Sequence, residues 1–252
     1  MKTAIITGAS TGLGREFVRQ LADVFPEIEC YWLVARRIDR LQEVAASLSG
    51  KHVECLPMDL CDPVSFTALQ EKLTAENADV VLLINNAGCG YLGNIGEMDT
   101  ASQTRMVDLN LRALTAVTNI TVPFMSPGSC ILNVSSIASF CPNPRMTVYS
   151  SSKAYVSAFT VGISEELKPK GITATAVCPG PMETEFIHLG GIKGHSKTFD
   201  VLPYCDQVKV AGGALRAARA GKTIYTPTLF YKFYRVLAKI VPVKLMVKFA
   251  GT

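Results

Sequence analysis

Residues 3–14 read TAIITGASTGLG, an apolar run that leads directly into a glycine-rich turn and then into a helical pattern. Gly8, Gly12 and Gly14 permit a tight turn, and they let the backbone approach a pyrophosphate at the amino end of the next helix. A glycine turn in this position predicts a dinucleotide-binding site, although a purely structural turn is the alternative. The other turn residues that we expect to contact the dinucleotide are Ser10, Thr11 and Leu13.

The same alternation of apolar runs and amphipathic patterns continues along the chain. Further runs include CYWLVA at 30–35, DVVLLIN at 79–85 and SCILNV at 129–134. Strands that are apolar throughout are typical of a parallel sheet buried on both faces. We therefore predict an α/β fold in which a single Rossmann-type domain, 1–252, has a doubly wound parallel sheet in three layers, α/β/α. Ligands of such sheets bind at the carboxyl edge of the strands.

Composition favours a cytoplasmic protein without a structural metal. The eight cysteines are spread singly with no CxxC pair, which suggests reduced thiols. The chain passes from Met1 almost directly into a strand, so we expect no secretory signal, and no run approaches the roughly 18 apolar residues of a membrane span. The three histidines do not pair with the cysteines at ligand spacing, so no metal site is predicted.

The basic charge is concentrated at the end of the chain. Residues 207–252 contain nine Lys or Arg and no Asp or Glu, and 226–252 form a basic amphipathic extension that Pro242 should divide into two short helices. Such a segment can lie weakly on an anionic membrane surface. We prefer the alternative that it packs on the substrate lid or a neighbouring subunit. Nucleic-acid binding is not expected, because no nucleic-acid recognition motif accompanies these basic residues.

Two arginines at the end of the second strand bear on cofactor choice. Folds that prefer NAD place an acidic residue there, whereas this sequence has Arg36 and Arg37, whose guanidinium groups suit the 2′-phosphate of NADP. NAD is therefore the less favoured cofactor, unless both arginines are merely solvated charges. After the third strand, Asp59, followed by Leu60, could accept a hydrogen bond from the adenine amino group, or it could cap a helix.

The stretch YSSSK at 149–153 places Tyr149 one helical turn before Lys153. That spacing alone recurs by chance, but it follows other markers in a fixed order. The chain resembles the short-chain dehydrogenase/reductase family over nearly its whole length. The sequences of its motifs are most similar to the bacterial branch with hydroxysteroid dehydrogenases and long-chain 3-oxoacyl reductases. The remaining markers are TGASTGLG at 7–14, NNAG at 85–88, Asn110, NVSS at 133–136 and PGPMET at 179–184.

The resemblance implies an NADP-dependent oxidoreductase in which Tyr149 exchanges a proton with the reacting oxygen. Lys153 would favour the phenolate and hold the nicotinamide ribose. Ser136, rather than its neighbour Ser135, would bond the reacting oxygen, and Asn110 would hold a helix bend and a proton-relaying water. The resemblance implies further cofactor contacts from Asn86, Ala87, Gly88, Pro179, Gly180 and Thr184. For several of these positions a structural role, in a turn or as a helix cap, is the alternative to a cofactor contact.

Residues 185–204 combine glycines with apolar side chains and lack a clear period, so we interpret them as a mobile lid over the substrate. Five apolar residues are candidate walls that favour a hydrophobic ketone or alcohol, although each could as easily belong to the core: Cys89, Tyr91, Ile137, Phe140 and Met146. The family also implies a homodimer or homotetramer formed through the helices that carry Asn110 and Tyr149. The alternative function is a non-catalytic NADP-binding sensor or a membrane-associated binding protein on the same fold.

Overall fold

A computed structural model describes residues 1–192 and 194–250 of the chain. Within these residues the strands and helices follow one another as β1 (Lys2–Thr7), α1 (Gly12–Val24), β2 (Cys30–Ala35), α2 (Ile38–Ala46), β3 (His52–Pro57), α3 (Val64–Ala75), β4 (Asp79–Asn85), α4 (Thr100–Val107), α5 (Leu114–Thr121), β5 (Cys130–Val134), α6 (Thr147–Leu167), β6 (Thr173–Val177), α7 (Glu185–Leu189), α8 (Lys197–Val201), α9 (Gln207–Arg219), β7 (Ile224–Tyr225), α10 (Leu229–Ile240) and α11 (Val243–Phe249).

The strands form one parallel sheet of seven strands in the order β3-β2-β1-β4-β5-β6-β7. The chain builds outward from β1 to β3 and then returns to add β4 on the other side of β1. This reversal opens a crevice at the carboxyl ends of β1 and β4, where ligands of doubly wound sheets bind. The predicted Rossmann-type fold is confirmed, and the reversal brings the glycine turn beside the NNAG segment.

Each face of the sheet has its own buried apolar layer. Along β2, Tyr31 and Leu33 belong to the layer formed with α1, α2 and α9, whereas Trp32 and Val34 belong to the layer formed with α3, α5 and α6. All four side chains are inaccessible to solvent, which explains why this strand is apolar at every position. The sheet is therefore sandwiched between two helical layers, as the sequence predicts.

The last two helices pack onto the body of the protein. Pro242 separates α10 from α11, in agreement with the expected break at this proline. The hydroxyl of the fully buried Tyr231 donates to the carbonyl oxygen of Pro203 at 2.6 Å, and Nδ2 of Asn143 donates to the carbonyl oxygen of Ala250 at 3.1 Å. The predicted extension 226–252 continues into 251–252, which lie outside the described residues.

Helix length limits how the chain can meet a bilayer. Among the described residues, none of the helices combines the length and the apolar character that a membrane crossing requires.

Candidate active site

The glycine turn after β1 is shaped by close approaches of backbone. Gly8 has φ of +64°, a conformation that favours glycine, and a Cβ on Gly14 would lie 2.1 Å from the carbonyl oxygen of Gly8. Asn86 secures the turn from the neighbouring strand, because its Nδ2 donates to the carbonyl oxygens of Thr7 at 3.1 Å and Gly8 at 3.0 Å. The glycines therefore let backbone pass close to backbone at the turn, as contact with a pyrophosphate requires.

The end of β4 lies between the glycine turn and the residues Tyr149 and Lys153 on α6. Backbone N–H groups of Asn86 and Ala87 donate to Oγ1 of Thr7 at 3.0 and 3.1 Å. A Cβ on Gly88 would lie 3.1 Å from Oδ1 of Asn110 and 3.3 Å from Nζ of Lys153. The glycine at this position therefore leaves room for both polar groups beside the strand end.

Tyr149 and Lys153 lie on the first turns of α6, and both face the end of β5. Tyr149 is 7% exposed and Lys153 is 5% exposed, and Nζ of Lys153 lies 5.8 Å from the centroid of the Tyr149 ring. Nζ also donates to the carbonyl oxygen of Val134 at 2.9 Å. The sequence spacing thus becomes a buried phenol beside a buried ammonium group.

Burial sets the proton affinities of this pair. Burial raises the pKa of Tyr149 to about 12, against the opposing effect of a hydrogen bond with Ser136. Burial also lowers the pKa of Lys153 to about 8. We expected the lysine to lower the pKa of the phenol, but burial is the dominant cause and raises it. The resting tyrosine is therefore a neutral phenol at physiological pH.

Two consecutive serines follow β5, and their side chains have different partners. The hydroxyl of Ser135 donates to the carbonyl oxygen of Lys153 at 2.8 Å and lies 2.8 Å from Oγ of Ser157, so it ties β5 to α6. Ser136 instead interacts with Tyr149 and accepts from the backbone N–H of Ala138 at 3.1 Å. The structure therefore turns Ser136 toward the candidate site and gives Ser135 a structural contact.

Asn110 lies behind the site, in a π-helical segment at Asp108–Ala113 between α4 and α5. Its Oδ1 accepts from the backbone N–H of Cys89 at 2.9 Å, and its Nδ2 donates to the carbonyl oxygen of Cys89 and to Oγ of Ser152, both at 2.9 Å. The side chain joins the β4 loop to α6 from within this π-helical segment, and the expected helix bend stays a prediction. The proton-relaying water stays a hypothesis.

The two arginines after β2 have separate surroundings. Nη2 of Arg37 lies 2.9 Å from Oε2 of Glu185 at the start of α7, so it is engaged by the substrate-side segment and not directed alone at a phosphate. Arg36 is exposed at the rim of the cavity, where its charge helps to lower the pKa of Asp59. Of the two, Arg36 is the better placed to meet a 2′-phosphate.

Asp59 is held in place by groups on both sides. Its carboxylate accepts from the backbone N–H of Cys61 at 3.0 Å and lies 3.2 Å from Nη2 of Arg105 on α4. Partial burial would raise its pKa, but these contacts and Arg36 keep the pKa of Asp59 below its ordinary value. Asp59 closes a turn before α3 and lines the cavity, but it does not cap the helix, whose N-cap is Pro63. The hydrogen bond to the adenine amino group stays a prediction. Arg105 could not be identified from the sequence, because its partner Asp59 is distant along the chain.

One cavity of about 460 Å³ joins these features. Among the predicted site residues, all line it except Gly14, which is packed behind the turn, and Asn110, which is packed behind β4. The expected walls Cys89, Tyr91, Ile137 and Met146 also line it. For Phe140 the core alternative applies, because this side chain packs against the core and beside Tyr234, with ring centroids 6.3 Å apart, and is not among the lining residues.

The segment 185–204 covers the cavity as two short helices, α7 and α8, although Lys193 lies outside the described residues. Phe186 lies beside the Tyr149 ring, with centroids 5.4 Å apart, and a Cβ on Gly90 would lie 2.6 Å from the Phe186 ring. Thr184 begins α7, and its Cγ2 would lie 3.4 Å from a Cβ on Gly12. The segment therefore reaches over both the phenol and the glycine turn.

Comparison with known proteins places the chain in a family. The short chain dehydrogenase family matches residues 2–189. Sulfoacetaldehyde reductase 2 of Chromohalobacter salexigens is 34% identical over 194 residues, which are 74% of this chain and 76% of that protein. The chain belongs to the short-chain dehydrogenase family.

Two further relatives show the range of this short-chain dehydrogenase's neighbours. The very-long-chain 3-oxoacyl-CoA reductase of Anas platyrhynchos is 28% identical over 185 residues, 70% of this chain and 58% of that protein. The solved structure of a short-chain dehydrogenase from Sphingobium yanoikuyae in complex with NADPH has a TM-score of 0.80 and 28% identity, and the match covers 96% of this chain and 97% of that one. The predicted family, with an oxoacyl reductase among the relatives, is confirmed.

The sequence missed the part of the cavity that the end of the chain supplies. A Cβ on Gly180 would lie 2.2 Å from Cε2 of Tyr231, so α10 is packed directly against the PGPMET segment of this short-chain dehydrogenase. The cavity-lining residues that sequence reasoning did not name include Arg105, Phe186, Tyr231, Tyr234 and Met246. Helical spacing in the last segment of the chain indicated an apolar face but not the surface that this face covers.

One cluster of possible metal ligands lies away from the cavity. The sheet brings Cys30 of β2 together with His52 and Glu54 of β3, with ligand atoms within 4.8 Å of one another, although these residues are not at ligand spacing along the chain. Nζ of Lys72 lies 2.5 Å from Oε2 of Glu54. This ammonium group already neutralises the carboxylate, so the cluster fits an ion pair better than a cation site.

Proposed function

We propose that this short-chain dehydrogenase is an NADP-dependent oxidoreductase that interconverts an apolar ketone and a secondary alcohol, with Tyr149 as the general acid and base. The observation that carries the proposal is the buried phenol of Tyr149 beside the ammonium group of Lys153 and the hydroxyl of Ser136, on the wall of one cavity that also contains the glycine turn. A proton donor and a dinucleotide cradle in one enclosed space suit hydride chemistry.

The residues that line the cavity fit a dinucleotide. Gly8 and Gly12 adopt positive φ, and Gly88 leaves space beside two polar groups, so backbone can approach the ligand along its length. The residues that would hold the cofactor are Gly8, Ser10, Thr11, Gly12, Leu13, Arg36, Asp59, Leu60, Asn86, Ala87, Gly88, Tyr149, Lys153, Pro179, Gly180 and Thr184. A bound nicotinamide supplies the hydride donor or acceptor.

The proton chemistry belongs to the chain itself. With a pKa of about 12, Tyr149 retains its proton at physiological pH and can donate it to a carbonyl oxygen as that oxygen gains negative charge. Ser136 can donate a second hydrogen bond to the same oxygen, and Lys153 is close enough to stabilise the phenolate that remains. The resting protein therefore carries the proton needed in the direction of carbonyl reduction.

The cavity supports an apolar substrate. Relatives do not decide the matter, since one is named for sulfoacetaldehyde and another for a very-long-chain oxoacyl-CoA. On the substrate side of Tyr149 the lining side chains are largely hydrocarbon or aromatic, and burial of such surface stabilises apolar ligands. They are Met146, Phe186, Phe199, Leu202, Phe230, Tyr231, Tyr234 and Met246.

Arg36 supports NADP over NAD. Arg36 lines the cavity just after β2, and Ala35 stands where folds that prefer NAD have an acidic residue for the ribose. The structural relative from Sphingobium yanoikuyae is a complex with NADPH.

Association of copies through α5 and α6 is part of the proposal. Helix α6 exposes Tyr155 and Val161, Val107 is exposed at the end of α4, and Tyr155 stacks on Phe159 with centroids 5.7 Å apart. An apolar patch on α6 near the segment that carries Asn110 is suited to a symmetric homodimer, or to a homotetramer if a second surface is used. Light scattering on the purified protein measures the number of subunits.

The test is consumption of NADPH with a panel of steroid, oxoacyl and aromatic ketones. We expect Tyr149→Phe to lower kcat/KM by about 10²–10⁴-fold, because the general acid is lost, while NADPH binding is retained. Tyr31→Phe is the matched control, since this tyrosine is also buried but lies on β2, away from the cavity.

Two results would contradict the proposal in different ways. Turnover that survives Tyr149→Phe removes this residue from the acid role. Tight NADPH binding without turnover of any carbonyl would instead favour the non-catalytic sensor.

A further inference from the structure

Helix α10 carries an apolar stripe that the protein does not cover. Leu229, Phe233, Val236 and Ile240 recur at helical spacing on one face, and they are 83%, 66%, 54% and 75% exposed. Large apolar side chains at this exposure, contiguous along three turns, mark an interaction surface. We call these four residues the α10 stripe.

The opposite face of α10 is already occupied. Tyr231 is fully buried and bonded to Pro203, and Tyr234 and Ala238 pack with residues of α11 and with Cys141. The helix is therefore fixed on the protein with the α10 stripe facing outward. The expectation that this segment packs on the substrate lid is met by one face only, which leaves the second face to be explained.

Basic side chains border the stripe. Lys232 and Lys239 are exposed on one flank of the helix, and α11 continues the pattern with exposed Val243 and Leu245 beside Lys244 and Lys248. No acidic residue occurs anywhere in 207–252. A row of hydrocarbon flanked by lysines on flexible stems matches the boundary between acyl chains and anionic headgroups.

We propose that α10 and α11 lie along an anionic lipid surface, with the α10 stripe inserted among the acyl chains and the lysines at the phosphates. The twelve residues of α10 are too few to cross a bilayer, so the helix would lie in the plane of the interface. A second copy of the chain fits less well, because a symmetric contact would bring basic flank against basic flank without a compensating carboxylate. The inference does not depend on the proposed function.

The experiment is flotation of the full-length protein with vesicles of phosphatidylcholine, with and without phosphatidylglycerol. We expect binding to the mixed vesicles that is about ten-fold stronger than binding to the neutral ones and that weakens in high salt. The double variant Phe233→Ser and Ile240→Ser should lose roughly ten-fold or more in binding to both kinds of vesicle. Val64→Ser is its matched control, since Val64 is 70% exposed on α3.

Charge is tested separately from the apolar face. Lys232→Glu with Lys239→Glu should lose binding to the mixed vesicles only, whereas Lys170→Glu, at an exposed lysine outside the extension, should have little effect. Thermal melts verify that each variant is folded.

The proposal is overturned if the wild-type protein floats with neither vesicle, or if the stripe variants bind as well as wild type. It is equally overturned if the stripe variants convert an oligomer to a monomer, since a second copy would then be the occupant.

Discussion

The two sides of the cavity are built in different ways. The cofactor side is made by short segments at the ends of β1 and β4, and it is defined by backbone that passes within contact distance of other backbone. The substrate side is made by side chains from the β4 loop, α6, α7 and the α10–α11 pair, which are distant from one another in the sequence. The cofactor side should therefore tolerate almost no added atoms, whereas the substrate side should tolerate changes of side chain.

Gly14→Ala tests this contrast most severely. The new Cβ would lie 2.1 Å from the carbonyl oxygen of Gly8 and 2.6 Å from Nδ2 of Asn86, so we expect a loss of about 3 kcal/mol in the free energy of unfolding and weak NADPH binding. Gly162→Ala is the control, because Gly162 lies within α6 with open space around it and should gain about 0.5–1 kcal/mol. Urea unfolding measures both variants. Equal effects would show that backbone approach is unimportant at the turn.

Lys153 lies at the boundary between the two sides. The substitution Lys153→Met tests its contribution through the pH dependence of the free energy of unfolding. The pKa of Lys153 is lowered by burial to about 8, against 10.5 for an ordinary lysine. Below pH 8 the group is charged in both states, so folding bears the whole cost of burying the charge. Between pH 8 and 10.5 the unfolded chain binds more protons, and stability therefore rises with pH.

We expect Lys153→Met to raise the free energy of unfolding by roughly 2 kcal/mol at pH 7 in the cofactor-free protein, and the gain to shrink toward pH 10. Denaturant unfolding at several pH values measures the difference. A gain that is independent of pH would mean that the ammonium group is not the source of the cost.

On the cofactor side, the two arginines after β2 can be compared by their effects on the choice between NADPH and NADH. Arg36→Ala should weaken NADPH binding about ten-fold and leave NADH binding nearly unchanged, because a charge-assisted contact to phosphate is lost. Arg37→Ala should change the ratio less, since Arg37 is paired with Glu185. Titration of both nicotinamides with both variants is the measurement. A larger effect from Arg37 would reverse our assignment.

Tyr231→Phe should give the smallest effect, on the substrate side. The variant removes the hydrogen bond to Pro203 but keeps the ring against Gly180, so we expect a loss of about 1 kcal/mol in stability. Tyr31→Phe is matched to it, because Tyr31 is also fully buried but its hydroxyl has no hydrogen-bond partner among the described residues. That variant should be neutral or slightly stabilising. Equal losses at both tyrosines would show that the Pro203 bond contributes nothing.

The fold and the cofactor side were readable because their signals are local. A strand, a glycine turn and a helix follow one another within 25 residues, and the pair Tyr149 and Lys153 is separated by one helical turn. Sequence reasoning did less well where a side chain has a choice of partners. Arg37 pairs with Glu185, 148 positions away, and Phe140 packs on Tyr234, which is also distant along the chain.

The proton affinity of the phenol also required the structure. Neighbouring charge argues for a lowered pKa of Tyr149, whereas burial argues for a raised one, and only the packing of α6 against β5 and Phe186 decides between them.

The sequence by itself determined the parallel sheet, the glycine turn and the order of the family markers, because hydrophobic periodicity and backbone freedom act between near neighbours. Only the tertiary structure decided that α10 buries one apolar face over the cavity and leaves another exposed. An amphipathic pattern specifies which side chains avoid water, but the surface that covers them depends on elements that the fold brings together.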